Sequence, residues 1–196
     1  MDCTKTGRLI YSLRKEKGMT QRQLAQLMNI SDKTVSKWER GLGSPDLSLL
    51  PSLSEIFSVN IEGLLSGELK INKATVGNMR KIKFYICAEC GNIITSLTDV
   101  TVSCCGKKMK AAQAQKAEEE DRLSVEIIEN EFYITTQHPM ERRHYISFVA
   151  MVSGDSVMVK KLFPEWDMQV RIPRFAHGRL VWYCTNHGLF YQEIRR

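Results

Sequence analysis

The sequence predicts a multidomain α + β protein, in which a helical first region is followed by two β-rich regions that bind metal. Apolar residues recur at helical spacing up to residue 67, and short β-like runs replace them from residue 84. Cysteine and histidine pairs are concentrated in the β-rich part. A length of 196 residues suits one or two compact domains. We expect the segments to be 1–68, 69–83, 84–112 and 113–196.

Composition places the chain among soluble globular proteins, with 43% hydrophobic and 26% charged residues. It has no run of eighteen apolar residues to span a membrane, and its first residues lack the apolar core of a secretory signal. We therefore expect a cytoplasmic protein. Thiols stay reduced in the cytoplasm, so we expect the six cysteines to act as metal ligands in preference to forming disulfides. The sequence suggests no partner for Cys3.

Charge is unevenly distributed along the chain. Residues 1–45 contain nine Lys or Arg and four Asp or Glu, residues 46–68 contain only four acids, and residues 69–83 contain five bases and no acid. A basic first segment and a basic linker suit an anionic partner such as DNA. The linker contains Gly77 and is compatible with either a flexible tether or a short basic helix.

The first two helices have recognisable starts and ends. Leu9 and Leu13 give one apolar face at helical spacing, and Gly18 ends that helix. Thr20 followed by Gln23 forms a capping box, which predicts the start of a second helix.

Three further helices complete the predicted bundle. Ser31 is placed to cap a helix over 32–40, which Gly41 ends. Apolar spacing predicts the last two helices over 48–57 and 61–65.

Two short helices joined by a brief turn are the geometry of a helix-turn-helix. The stretch MTQRQLAQ (19–26) followed by SDKTVSKWERG (31–41) resembles the lambda-repressor/Cro (Xre-type) family, and the resemblance covers residues 5–67. It implies a five-helix lambda-repressor-like domain whose third helix enters the major groove of double-stranded DNA. The alternative is a helix-turn-helix used only for protein contacts. The resemblance implies base contacts by Asp32, Lys33, Thr34 and Lys37, and backbone contacts by Gln21, Ser36 and Arg40.

Four cysteines form the most distinctive pattern of the β-rich part. Cys87-x2-Cys90 is followed, after thirteen residues, by the adjacent pair Cys104-Cys105. Four thiolates at this spacing can converge on one tetrahedral ion, and four-sulfur ligation suits iron or zinc. The surrounding runs at 84–86, 93–95 and 100–102 predict short strands.

The sequence around these cysteines, YICAECGNI and CCGKKM, resembles desulforedoxin, the rubredoxin-like iron module that heads the desulfoferrodoxins. The resemblance implies a small rubredoxin-like module with iron at this first site. With zinc instead, the site would be a structural one.

All four histidines lie beyond residue 137. His138 and His144 are six residues apart, and Cys184 and His187 have Cys-x2-His spacing. Imidazole and thiolate together suit iron, zinc or copper. The runs at 146–151, 157–162, 169–172 and 180–183 predict strands around this second site, with a hairpin turn at 153–155.

These segments are similar to the superoxide reductase (neelaredoxin) domain, an immunoglobulin-like β-sandwich. The family's ferrous iron has four histidine ligands and one axial cysteine, with the sixth position open to superoxide. The resemblance implies that His138, His144 and His187 are equatorial ligands and that Cys184 is axial. The family's first histidine is expected near 117–123, where this chain has AEEEDRL and neither histidine nor lysine. One candidate fifth ligand is His177, although the sequence around it is typical of a turn. The other is a carboxylate from 118–121.

Three functions follow from these patterns. The first is a dimeric DNA-binding transcriptional regulator whose iron centres sense superoxide or another oxidant. The second is a superoxide reductase with a DNA-binding appendage, for which the absent histidine is unfavourable. The third is a repressor whose C-terminal half is a structural or dimerising domain built on zinc.

Overall fold

The two parts of the chain use different secondary structure in this computed structural model, which describes residues 2–72 and 78–195. The chain divides into two compact units, Met1–Ile71 and Asn72–Arg196. Within the described residues, all five α-helices belong to the first unit and all twelve β-strands to the second. The predicted helical and β-rich regions are therefore confirmed, whereas the four-segment division stays a prediction. In the linker, Met79–Lys81 forms a 3-10 turn, and 73–77, including Gly77, lie outside the described residues.

The helices of the first unit begin at side-chain caps. Asp2, Thr20, Ser31 and Asn60 each accept a hydrogen bond from a backbone N–H group in the first turn that follows them. The predicted capping box of Thr20 and Gln23 is present. None of the helices in the described ranges is long and apolar enough to cross a bilayer. The helices are α1 (Cys3–Glu16), α2 (Gln21–Leu27), α3 (Asp32–Glu39), α4 (Leu50–Phe57) and α5 (Ile61–Ser66).

One apolar core fixes α3 against the other helices. Ile10, Leu24, Val35, Leu53 and Leu64 are all fully buried, one from each helix. At Gly7 the backbones of α1 and α3 approach closely, because a Cβ atom there would lie 2.0 Å from the carbonyl oxygen of Trp38. The predicted DNA-reading helix is thus held by packing along its inner face.

The described residues of the second unit form four sheets. Two are two-stranded, β1 with β2 and β3 with β4. A three-stranded sheet has the order β10-β7-β6, and a five-stranded sheet has the order β5-β12-β11-β8-β9. The strands are β1 (Lys83–Ile86), β2 (Ile93–Ser96), β3 (Val102–Cys104), β4 (Lys107–Met109), β5 (Ala114–Lys116), β6 (Ser124–Ile128), β7 (Glu131–Thr135), β8 (Ile146–Val152), β9 (Val157–Lys161), β10 (Gln169–Pro173), β11 (His177–Cys184) and β12 (Gly188–Arg195).

The five-stranded sheet is covered on both faces. All seven residues of β8 are buried. Val149 and Met151 join the core shared with the three-stranded sheet, whereas Phe148, Ala150 and Val152 join a second core with Phe84 of β1. This division follows the two-residue period of a strand, whose alternate side chains point to opposite faces. The β1 segment, which leads to Cys87, is therefore anchored on this sheet.

Two predictions of local structure were wrong. The turn predicted around His177 is the start of β11, because His177 and Gly178 pair with the end of β12. The strand predicted over 100–102 begins only at Val102, since the backbone N–H of Val100 donates to Tyr85 Oη at 3.3 Å instead of to a strand. No strand was predicted at β4, β5, β6, β7 or β12. Strand β5 is exposed throughout, so its sequence lacks the alternation of apolar and polar residues that indicates a half-buried strand.

Candidate metal centres and nucleic-acid interface

Two hairpin-like segments bring the four cysteines of the first predicted site together. Cys87 and Cys90 lie in the turn between β1 and β2, and Cys104 and Cys105 lie at the turn between β3 and β4. Their four Sγ atoms all lie within 4.8 Å of one another, and those of Cys90 and Cys104 are 3.5 Å apart. Cys105 adopts a positive φ of 49°, which lets the adjacent cysteine side chains turn to one point. The cluster could hold a metal ion.

Backbone hydrogen bonds close the first cysteine turn. The N–H of Gly91 donates to the carbonyl oxygen of Cys87, and the N–H of Cys87 donates to that of Asn92, each at 2.9 Å. The Asn92 side chain also donates to Cys104 Sγ at 3.8 Å. Gly91 has a φ of 65°, a conformation that glycine adopts readily.

The chemistry of these sulfurs suits a cation. Backbone N–H groups of Cys90 and Glu89 lower the pKa of the Cys87 thiol to about 7. Hydrogen bonding to Cys90, Cys87 and Cys104 raises the pKa of Cys105 to about 12. Crowded thiols therefore share protons, and a metal ion bound by four thiolates would replace those protons.

Two loops and a strand end bring the second set of predicted ligands together. His138 and His144 lie between β7 and β8, Cys184 ends β11, and His187 lies in the turn before β12. One potential ligand atom from each lies within 4.8 Å of the others. The three imidazole rings are 4.6, 4.7 and 5.7 Å apart and nearly perpendicular in each pair. This second cluster could also hold a metal ion.

Two ring nitrogens of this cluster fit a metal ion. His138 Nε2 and His144 Nε2 are buried without a hydrogen-bond partner in the structure. The other nitrogen of His138, Nδ1, lies 2.6 Å from the carbonyl oxygen of Pro139, which assigns the proton to Nδ1 and leaves the Nε2 lone pair free. Burial lowers the pKa of His138, which favours the neutral ring that metals bind.

Thr185 joins the two segments that contain these ligands. Its N–H donates to the carbonyl oxygen of Tyr145 at 3.0 Å, and its hydroxyl donates to that of Arg143 at 3.1 Å. The N–H of Tyr145 in turn donates to the Thr185 hydroxyl at 3.2 Å. Cys184 is only 1% exposed and accepts from the N–H of Asn186 at 3.4 Å. Sequence inspection missed Thr185, whose role depends on a contact forty residues away.

The two candidate fifth ligands lie outside this cluster. Among the described residues, no Asp or Glu groups with the three histidines and Cys184. The charge of Asp121 raises the pKa of His138, but the larger effect of burial lowers it. His177 begins the strand that Cys184 ends, so seven extended residue-to-residue rises, roughly 23 Å, separate their backbones. The prediction of His177 as a ligand is not supported by this geometry.

The seven predicted DNA-contacting residues surround one concave surface on the first unit. Its volume is about 530 Å³. Ser31 caps α3 and contacts the Thr34 hydroxyl at 2.8 Å, and Arg40 Nε donates to the carbonyl oxygen of Ser36 at 3.2 Å. The surface is lined by Gln21, Asp32, Lys33, Thr34, Ser36, Lys37 and Arg40.

A buried ion pair holds Gln21 at the edge of this surface. The Arg14 guanidinium donates to both carboxylate oxygens of Glu39, with the Nη2–Oε2 distance 2.9 Å, and to the carbonyl oxygen of Met19 at 2.7 Å. The Gln21 side chain donates to the same carboxylate at 2.7 Å. Donating to the Glu39 carboxylate raises the pKa of Arg14. Gln21 is therefore positioned from the protein interior.

A second concavity continues the first along α2. It includes Lys15 and Arg22, which sequence inspection did not select, and it shares Gln21 and Asp32 with the first surface. The basic character of residues 1–45 was the sequence feature that pointed to these two residues, but it does not show which lysines and arginines share a face.

Comparisons with known proteins agree with this geometry in the first unit. The helix-turn-helix family profile HTH_3 matches residues 10–64. These residues are a helix-turn-helix domain. Over 80 residues the chain is 42% identical to the HTH-type transcriptional activator BcrR of Enterococcus faecalis, covering 39% of each chain. The chain thus spans well under half the length of this relative.

The second unit is similar to a different group of proteins. The chain is 29% identical over 121 residues to a desulfoferrodoxin homolog of Archaeoglobus fulgidus, covering 56% of this chain and 94% of that protein. The superoxide reductase structure from Treponema pallidum matches 58% of this chain and 98% of its own, with a TM-score of 0.50 and 19% identity. The C-terminal part thus has a superoxide reductase-like fold, and the cysteine cluster fits a desulforedoxin-like module.

Proposed function

We propose that this protein is a DNA-binding transcriptional regulator whose C-terminal unit binds iron and senses superoxide or another oxidant. The observation that supports it best is the combination in one chain of a helix-turn-helix domain with two clusters of metal-ligand side chains. Within this proposal, the segments 84–112 and 113–196 are a rubredoxin-like module and an immunoglobulin-like β-sandwich. The proposed location is the cytoplasm.

DNA binding is proposed to use the concave surface around α3. Lys33 and Lys37 are suited to donate to guanine O6 and N7, and Asp32 is suited to accept from cytosine N4. Gln21, Ser36 and Arg40 would contact backbone phosphates. Lys15 and Arg22 line the adjoining concavity and would add two positive charges for the DNA backbone. Because a single helix-turn-helix contacts one half-site, we propose that a homodimer binds two half-sites.

The four cysteines are proposed to hold one iron ion. When bound, iron supplies one-electron redox chemistry at this centre. The Asn92 amide and the backbone N–H groups of the first turn would stabilise the negative charge of the thiolates. Zinc would suit the same four sulfurs and would make the centre structural.

The second iron is proposed to bind His138, His144, His187 and Cys184. The free Nε2 atoms of the first two rings and the buried sulfur supply three donors. Thr185 joins the segment that contains Cys184 to the segment that contains His144. This set has one donor fewer than the resemblance implies for superoxide reductases. The acids at 118–121 lie in the stretch where that donor is expected, and their charge disfavours an approaching anion. We therefore favour sensing over turnover.

One experiment separates regulation from catalysis. The full chain is loaded anaerobically with ferrous iron, and a duplex is selected from a random library by the reduced protein. Fluorescence anisotropy then compares affinity for that duplex before and after oxidation. A sensor requires different affinities in the two states, typically five- to 150-fold. Equal affinities would overturn the sensing proposal.

Superoxide reductase is the alternative function, favoured by the fold of the second unit. The same loaded protein is exposed to a steady flux of superoxide with a reductant present. We expect oxidation of the iron without sustained turnover. Rapid multiple turnover approaching the diffusion limit would make the protein an enzyme.

A further inference from the structure

Lys161 connects the five-stranded sheet to the first cysteine turn. It is the last residue of β9, which lies at one edge of that sheet, and its Nζ donates to the carbonyl oxygen of Gly91 at 2.7 Å. Gly91 directly follows Cys90 and closes the turn through its bond to Cys87. A cation from a strand seventy residues away is thus fixed at the first cysteine turn, one residue after Cys90.

The register of β9 explains why this lysine reaches the cluster and its neighbour does not. Lys161 pairs with Phe148, whose ring stacks 5.4 Å from that of Phe84 in the strand leading to Cys87. Lys160 pairs with Val149, which belongs to the core on the opposite face. Alternate residues of a strand point to opposite faces, so Lys160 is a matched control on the same strand.

We infer that Lys161 is a positioning residue for the four-cysteine centre, and that its charge raises the reduction potential of the iron proposed to bind there. The inference rests on the proposed function only through that iron. A centre made of one iron ion and four thiolates has a net charge of −1 when oxidised and would become one unit more negative when reduced. A nearby cation therefore stabilises the reduced form more than the oxidised form.

The expected effect is modest because Lys161 is exposed and solvent screens its charge. We expect Lys161→Met to shift the ratio of oxidised to reduced centre by roughly threefold to tenfold toward the oxidised form. Tenfold corresponds to about 59 mV for a one-electron couple. Lys161→Gln keeps a donor and removes the charge, so it should lower the potential similarly. Lys161→Arg keeps the charge and should stay near the wild-type value.

The test uses the full chain loaded anaerobically with iron. Electrochemical titration follows the thiolate-to-iron absorption of the four-cysteine centre in the wild type, the three Lys161 variants and Lys160→Met. A lower potential in Lys161→Met and Lys161→Gln, with Lys160→Met unchanged, supports the inference. Equal potentials in Lys161→Met and Lys160→Met overturn the role of the charge.

Metal release supplies a second readout that applies to iron or zinc. Transfer of the metal to a chelator should be at least severalfold faster in Lys161→Met than in Lys160→Met, because the cysteine turn loses its tether. Equal release rates overturn the positioning role. Loss of metal in both Lys161→Met and Lys160→Met also overturns it, since the effect would then not depend on the Gly91 contact. A wild-type protein that takes no metal at the four cysteines refutes the proposed function itself.

Discussion

Removing the charge of Glu39 should destabilise the DNA-binding unit by several kcal/mol. The Glu39 and Arg14 side chains are only 4% and 7% exposed, and the carboxylate accepts from both Arg14 and Gln21. Glu39→Gln leaves the guanidinium buried without a counter-charge, and breaking a buried pair in this way costs about 3–5 kcal/mol. A unit of this size has about 4–10 kcal/mol of total stability. The variant should therefore lose a large fraction of it.

The assay is urea unfolding followed by circular dichroism at 222 nm, because the α-helices of the described residues all lie in the first unit. Glu68→Gln is the matched control, since Glu68 pairs with Lys5 at 2.8 Å but both side chains are more than half exposed. Solvent screens the charges of such surface pairs, so they contribute little to stability. DNA affinity should also fall in Glu39→Gln at temperatures where it stays folded, because Arg14 and Gln21 would have one acceptor oxygen where the carboxylate offers two. If Glu39→Gln costs no more than Glu68→Gln, the buried pair does not support this surface.

Three further results are expected. Lys33→Ala and Lys37→Ala should each weaken binding to the selected duplex by about 1–3 kcal/mol if the lysine contacts a base, and unchanged anisotropy titrations of the double variant at moderate salt would exclude that role. Cys104→Ser should lose the metal of the first cluster and retain that of the second, as measured by metal analysis; full metal content would contradict four-sulfur ligation. Stability of the metal-free second unit should fall as pH drops below 6.5. Burial lowers the pKa of His138 in the folded state, so below pH 6.5 the unfolded chain binds more protons than the folded one and is favoured. Thermal unfolding of His138→Gln should show a weaker dependence over that range, and an identical dependence would remove His138 as the cause.

Local sequence signals were sufficient for much of the first unit. The capping box at Thr20 and the cap at Ser31 act within three residues, so they could be recognised without knowledge of the fold. The seven residues predicted to contact DNA line one surface. They could be selected from the sequence because helical periodicity and a family resemblance place them on neighbouring turns. The buried Arg14–Glu39 pair was not predicted, since a charged pair 25 residues apart has no local signature.

The β-rich part was less accessible to the same reasoning. Strand β5 pairs in parallel with β12, which lies more than seventy residues later in the chain. His177 was expected in a turn, yet pairing with β12 places it in a strand. Strand identity depends on partners elsewhere in the chain, so exposed or irregular segments give weak signals.

The sequence by itself determined where α2, α3 and α5 begin and which cysteines and histidines were candidate ligands, whereas α4 begins at Leu50 and not at the predicted residue 48. Short-range geometry and donor chemistry act through residue type and spacing, and both can be read along the chain. Tertiary structure decided which groups meet: Thr185 with the segment containing His144, Lys161 with Gly91, and Gln21 with Glu39. It also placed His177 at the far end of β11 from Cys184. These contacts join residues far apart in sequence, and their energies are gained only when the sheets and helices pack.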